Sequence, residues 1–170
     1  MKNIVYSSLL SLAMLFLSAC SNYHIGSLMH PQVKSIAIGD IINDTAAYNV
    51  SYQLKQLLSE EFMTDGSVEL ANRRVADAIV FARIISVGFS EVAGRDWGDG
   101  VYHPIEWKVR VVVEYSVIIP GEKNPLVSSQ AIGEAYFQAK ADTDVMRQRA
   151  TMMACRDAAQ KIVQSVVEAW

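Results

Sequence analysis

The side chain best placed for chemistry is Cys20, which closes the tetrapeptide Leu17-Ser18-Ala19-Cys20. That tetrapeptide has the form of a lipobox: a leucine and two small residues present a cysteine thiol to a diacylglyceryl transferase before the leader is cut away. A thioether has to form, so the position needs sulfur. The peptidase has to accept the extended chain beside it, so the neighbours must be small. The residues ahead fit the same reading, with Lys2 as a charged end, an apolar stretch from Ile4 to Leu17, and small residues before the cut. The competing reading is an ordinary secretory signal, or an uncleaved anchor, with a cysteine there by chance. The chain thus divides into a lipoprotein signal peptide at 1–19, a lipidated tether at 20–32 and a single α/β domain at 33–170. Acyl chains on Cys20 bring about 0.8 kcal/mol per buried methylene, so several chains make attachment effectively permanent. Ser21, where an Asp would favour retention in the inner membrane, points to the outer membrane and a domain on its periplasmic side.

Other reactive arrangements are hard to assemble. The three histidines are His24, His30 and His103, and two of them lie in the tether. No His-x-x-x-His, Cys-x-x-Cys or Gly-x-Ser-x-Gly motif is present. With Cys20 acylated, Cys155 is the one remaining thiol, and its place among Ala159, Ile162 and Met152 at helical spacing reads as a small buried hydrophobe. Asp96, Asp99 and Gly100 resemble part of a calcium loop but lack its further ligands and closing acid, so they read as a turn. Asp142 and Asp144 fit a helix start, and Glu60-Glu61 a solvated helix face. Two places look suited to contact a partner or a sugar lipid. One is Trp97, in a Gly-rich loop with Arg95, Asp96, Tyr102 and His103; the alternative there is simple loop packing. The other is the pair Lys108 and Arg110, able to reach anionic phosphates or, equally, to pair across strands near Glu106 and Glu114. No metal or other cofactor is expected. An envelope hydrolase would have to draw Asp96, Asp99 and His103 into one pocket.

The elements that position these residues follow from periodicity. The chain has 170 residues, 51% hydrophobic, with a mean hydropathy of +0.17; the leader carries much of that excess, and the remainder has an ordinary globular composition. Without Lys2 the mature chain has 14 basic against 18 acidic side chains, a net charge of −4 with no basic block, which argues against a nucleic-acid partner. No apolar run after residue 19 is long enough to span a bilayer as a helix. Val33 to Ile41 alternates as a strand. Val50, Leu54, Leu57, Leu58 and Phe62 make the stripe of a helix from about 47 to 64, stopped by Gly66. Val68 to Ala71 reads as a short strand or connector, 75–89 as a buried strand, and Glu91 to Gly100 as the loop that ends it. Trp107, Val109, Val111, Val113, Tyr115 and Val117 alternate with Glu106, Lys108, Arg110, Glu114 and Ser116, giving a strand with one dry and one wet face. A turn at 120–125, a strand from Leu126 to Phe137 and a final helix with Met152, Cys155, Ala159, Ile162, Val163, Val166 and Trp170 on one face complete the chain. The expected class is α+β: two helices packed on one face of a mostly antiparallel sheet of about four strands, in the order strand, helix, strands, helix.

Several segments, in order, carry a resemblance. They are the start Cys20-Ser21-Asn22-Tyr23-His24-Ile25-Gly26-Ser27-Leu28, the strand Val33-Lys34-Ser35-Ile36-Ala37-Ile38, the helix end Glu60-Glu61-Phe62-Met63-Thr64-Asp65-Gly66, the strand opening Ala76-Asp77-Ala78-Ile79-Val80, and the closing helix from Ile162 to Trp170. Together they resemble the lipopolysaccharide-assembly lipoprotein family, LptE. The resemblance implies a non-catalytic outer-membrane lipoprotein of a diderm bacterium that plugs the lumen of the LptD β-barrel and aids insertion of lipopolysaccharide into the outer leaflet. Its implied partners are an LptD-like β-barrel, lipopolysaccharide, and the membrane through the acyl chains on Cys20. The loop from Ala93 to His103 has no counterpart in that pattern. A different envelope lipoprotein serving another complex is the alternative. Replacing Cys20 by alanine should move the protein from the membrane to the soluble fraction on cell fractionation; continued membrane retention would count against acylation.

Overall fold

The computed structural model describes residues 33–96, 98, 100–138 and 143–168. The expected signal peptide at 1–19, Cys20, the expected tether at 20–32, Trp97, Asp99, Asp142 and Trp170 lie outside the described residues. The elements are β1 (Ser35–Asn43), α1 (Val50–Asp65), β2 (Glu69–Leu70), β3 (Ala78–Asp96), β4 (Tyr102–Ile118), β5 (Val127–Gln138) and α2 (Thr143–Glu168). They form an α+β fold in which two helices pack on one face of a five-stranded mixed sheet, ordered β2-β1-β3-β4-β5.

Helix α1 forms where the stripe predicts it, with Val50, Leu54, Leu57, Leu58 and Phe62 all buried. Asn43 organises the approach: its side-chain oxygen accepts from the Thr45 amide at 3.0 Å, and its side-chain nitrogen donates to the Ala47 carbonyl at 2.8 Å. At the other end Gly66 takes a left-handed conformation, φ 70°, and its amide donates to the Phe62 carbonyl at 3.1 Å.

The sheet departs from expectation in strand number and direction. It has five strands rather than about four, and β1 runs parallel to both β2 and β3. The cause is α1, which carries the chain back to the end of the sheet where β1 began, so the next strands must run the same way. Only the ladder β3·β4·β5 is antiparallel. A second departure is at 91–100, expected as a loop. Strand β3 continues through it to Asp96, pairing Glu91 with Trp107, Arg95 with His103 and Asp96 with Tyr102. Register irregularities on either side of Ala93 leave Val92 and Ile105 out of the pairing, while Gly94 pairs with Pro104, so the glycine lies within an irregular stretch of the ladder and not at a strand end. Pro104 is tolerated in β4 because β5 pairs only as far as Glu106, leaving that segment without an outer neighbour among the described residues.

The core lies between the sheet's inner face and the helices. On β4, Val109, Val111, Val113 and Val117 are fully buried, each contributing about 1.5–3 kcal/mol; Trp107 shares the face but is only half-buried. The Tyr115 hydroxyl lies 2.6 Å from Ser165 Oγ, tying β4 to the last turns of α2. Helix α2 buries Ala150, Thr151, Ala154, Cys155, Ala158, Ala159, Ile162, Val163, Val166 and Val167. Met152, expected on that face, is 43% exposed: it stands one residue, about 100° of helix, away from Thr151. Burial pushes the Cys155 thiol up to about 12, in keeping with an inert packing residue.

Two features fix the assembly. At the start of the sheet, one Asp77 carboxylate oxygen accepts from the Lys34 amide at 3.0 Å, the Ser35 amide at 2.8 Å and the Ser35 hydroxyl at 2.8 Å. These bonds, the Ser35 hydroxyl's first, hold the Asp77 carboxyl below its ordinary value of 3.8. At the far side, Gly133 of β5 admits α2 backbone to backbone. A Cβ there would press on the Ala154 carbonyl oxygen and stand 2.6 Å from the Ala158 amide nitrogen. Gly133→Ala should therefore destabilise the fold by about 1–3 kcal/mol through overpacking, read as a lower urea midpoint with an unchanged slope; an unaltered midpoint would show that the helix can retreat without cost.

Candidate functional site

Both helices sit on the inner face, so no described element covers the outer face of the sheet. Because β4 has period two, its outward residues are the ones the sequence marked as wet. Near the β1 edge, this face carries an open depression of about 440 Å³ lined by Asp40, Ile42, Phe81, Arg83, Glu114, Ser116 and Ser128. Gly39 makes room for the Phe81 ring, which would lie 2.8 Å from any Cβ at that position. The Arg73 guanidinium lies 5.3 Å from the centre of the same ring and pairs with Asp40 at 3.1 Å, while Arg83 pairs with Asp44 at 2.9 Å.

Further along, the structure brings Lys108 and Arg110 together on Glu134 of β5. Register places Glu134 directly opposite Arg110. Arg110 donates to Glu134 Oε1 through Nε and a terminal nitrogen, both at 2.8 Å, and Lys108 Nζ approaches the same oxygen at 3.5 Å. The Arg110 hydrogen bond is the main reason the Glu134 carboxyl falls below its ordinary 4.5, with the Lys108 charge adding to it. The two cations are thus paired across strands, with Glu134 as the acceptor in place of Glu106 or Glu114. A phosphate at this point would have to displace a carboxylate already held.

Arg95 is not part of this cluster. It pairs in register with His103, five residues before Lys108, about 17 Å along the strand. Asp96 closes the hairpin tip, its Oδ1 accepting from the amides of Gly98 at 2.8 Å and Gly100 at 3.2 Å, which is the turn role the sequence suggests. Among the described residues no group of three or more His, Cys, Asp or Glu could hold a metal ion. On the helical side, Glu60 pairs with Arg156 at 3.2 Å and Glu61 accepts from Gln160 at 3.3 Å, so the acidic pair bridges the two helices.

Sequence reasoning missed Glu134. The signal was available, since a hairpin folding about Glu122 places 134 opposite 110, but a lone acid in a strand does not announce its partner. It also missed Arg149, whose surroundings depend on how α2 lies against the end of β5.

No protein-family model and no curated protein matches the chain. Solved structures do share the fold. A minor lipoprotein from Acinetobacter baumannii superposes with a TM-score of 0.52 at 12% identity, over 79% of this chain and 93% of that one. A Xanthomonas campestris protein of family DUF330 gives 0.55 at 8% identity, over 86% and 88%. A hypothetical protein from Chlamydia trachomatis gives 0.50 at 11%, over 79% and 98%. At these identities the likeness establishes an α+β fold that a bacterial lipoprotein also uses.

The Arg110–Glu134 pair has a pH signature. Its folded carboxyl value lies below 4.5, so its contribution to stability is complete above that value and is lost as pH falls through the lower native one. In Arg110→Ala, an NMR titration of the Glu134 carboxyl should move up toward 4.5, Lys108 retaining part of the shift; an unmoved titration would mean that Arg110 does not hold the carboxylate in solution.

Proposed function

We propose that the chain is a lipid-anchored, non-catalytic binding module of the bacterial envelope, held at the outer membrane through Cys20 with its folded domain on the periplasmic side. The observation that carries the reading is the lipobox Leu17-Ser18-Ala19-Cys20, placed ahead of a domain whose fold a minor lipoprotein also uses. The acyl chains supply membrane attachment, which leaves the domain's surface to serve a partner. The outer face suits that role: it is broad, uncovered among the described residues, and patterned with both charges and half-buried apolar side chains.

The more particular reading follows the resemblance to LptE: the domain partners an LptD-like β-barrel and aids the insertion of lipopolysaccharide. Such a partner would present its lumen wall to the domain, where charge pairs such as Arg110–Glu134 can set orientation more than affinity.

The test is affinity purification of the tagged native protein from detergent-solubilised membranes, combined with depletion and an assay for surface lipopolysaccharide. The particular reading expects a large β-barrel protein to copurify and surface lipopolysaccharide to fall on depletion. Copurification with a different envelope complex, with lipopolysaccharide unchanged, would keep the binding-module reading and discard the assembly role. Outer-membrane residence without any partner would discard both.

A further inference from the structure

Strand β5 is the edge of the sheet, and α2 closes only its middle. The Glu134 amide donates to Asp157 Oδ2 of α2 at 2.8 Å, and Lys161 Nζ donates to the Ile132 carbonyl at 2.8 Å while pairing with Asp157 at 2.7 Å. Those bonds identify the even-numbered residues of β5 as the ones whose backbone groups point away from β4. By the same alternation the amides and carbonyls of Tyr136 and Gln138 point outward, and among the described residues none of them finds a partner.

The guard stops where an apolar cleft begins. Between the end of β5 and the first turns of α2 lies a hollow of about 270 Å³ walled by Tyr136, Phe137, Met146 and Met153. Tyr136 and Met153 are each 54% exposed, large apolar surfaces left uncovered by the described residues. At the rim stands Arg149, which is exposed and makes no ion pair among the described residues.

We propose that this cleft takes a short extended segment of a partner protein, added to β5 beside Tyr136–Gln138, with an apolar side chain in the hollow and a carboxylate on Arg149. The three features select one occupant. Open backbone groups call for another backbone. Methionine and aromatic walls accept an apolar side chain without a fixed shape. A free guanidinium calls for a carboxylate. The Asp157–Lys161 guard limits the addition to a few residues and fixes where it ends. The inference holds whichever envelope complex the chain serves.

The test uses the full chain in phosphatidylcholine vesicles and a fluorescein-labelled, C-terminally amidated hexapeptide of alternating threonine and valine in which glutamate replaces one valine, so that the apolar and acidic side chains share the face turned toward α2, beside the same peptide with glutamine. The glutamate peptide should bind about tenfold more tightly, and Arg149→Gln should abolish the difference. Tyr136→Pro removes an outward amide and no ladder bond, so both peptides should lose binding while the melting transition stays in place. The proposal is overturned if neither peptide binds up to about 1 mM, if wild type binds both equally, or if binding survives Tyr136→Pro. Displacement of the glutamate peptide by phosphatidylglycerol in the vesicles would also overturn it, and would assign the cleft to lipid anions instead.

Discussion

The lay of α2 across the sheet depends on an absence of side chain at Gly133. A helix rests on a strand at a distance set by what stands between them, and here nothing stands between β5 and the Ala154–Ala158 turn. The alanines on α2 are the other half of that arrangement: Ala150, Ala154, Ala158 and Ala159 are all buried, and each keeps the helix low. Sitting low, α2 brings Asp157 and Lys161 within hydrogen-bonding distance of the β5 backbone. Met152 and Met153 fall off the buried line of the helix and stay outside the core. The open and closed stretches of the β5 edge both follow from this one contact.

Charge is handled locally at several points of the described domain, Arg149 apart. Arg73 with Asp40, Arg83 with Asp44, Arg110 and Lys108 with Glu134, Arg156 with Glu60 and Lys161 with Asp157 are each settled within the domain. Exposed pairs of this kind add little to stability. Their effect is on recognition, since a surface whose charges are already matched exerts little long-range pull on a charged partner. A partner on the outer face would therefore be selected by shape and short-range pairing.

Much of this was legible in the sequence, for identifiable reasons. The α1 stripe and the β4 alternation were readable because each depends on a single element with one dry side, where periodicity and burial coincide. Cys155 was readable for the same reason. What was not readable depended on relations between elements. The parallel direction of β1 is a property of the α1 crossover, not of any residue in β1. The reach of β3 to Asp96 is decided by its partner strand, which carries an exposed ladder past glycine and polar residues that in isolation read as a loop. Met152 was misplaced because a helix rich in alanine gives a weak apolar stripe, and a methionine one position away looks like part of it. Of the site residues, Lys108 and Arg110 were found through their strand, whereas Glu134 and Arg149 needed the register and the seating of α2.

The Asp77–Ser35 contact has a consequence for the order in which the chain can close. The pairs β3·β4 and β4·β5 join neighbours through single turns, so each can zip from its own hairpin. Strand β1 has no such neighbour: the Ser35–Asp77 bonds span 42 residues, and the intervening helix must be in place before they can form. The first strand to leave the ribosome is thereby held back until a partner synthesised later arrives. The meander β3·β4·β5 can therefore take shape while β1, the earliest of the described strands, is still unpaired.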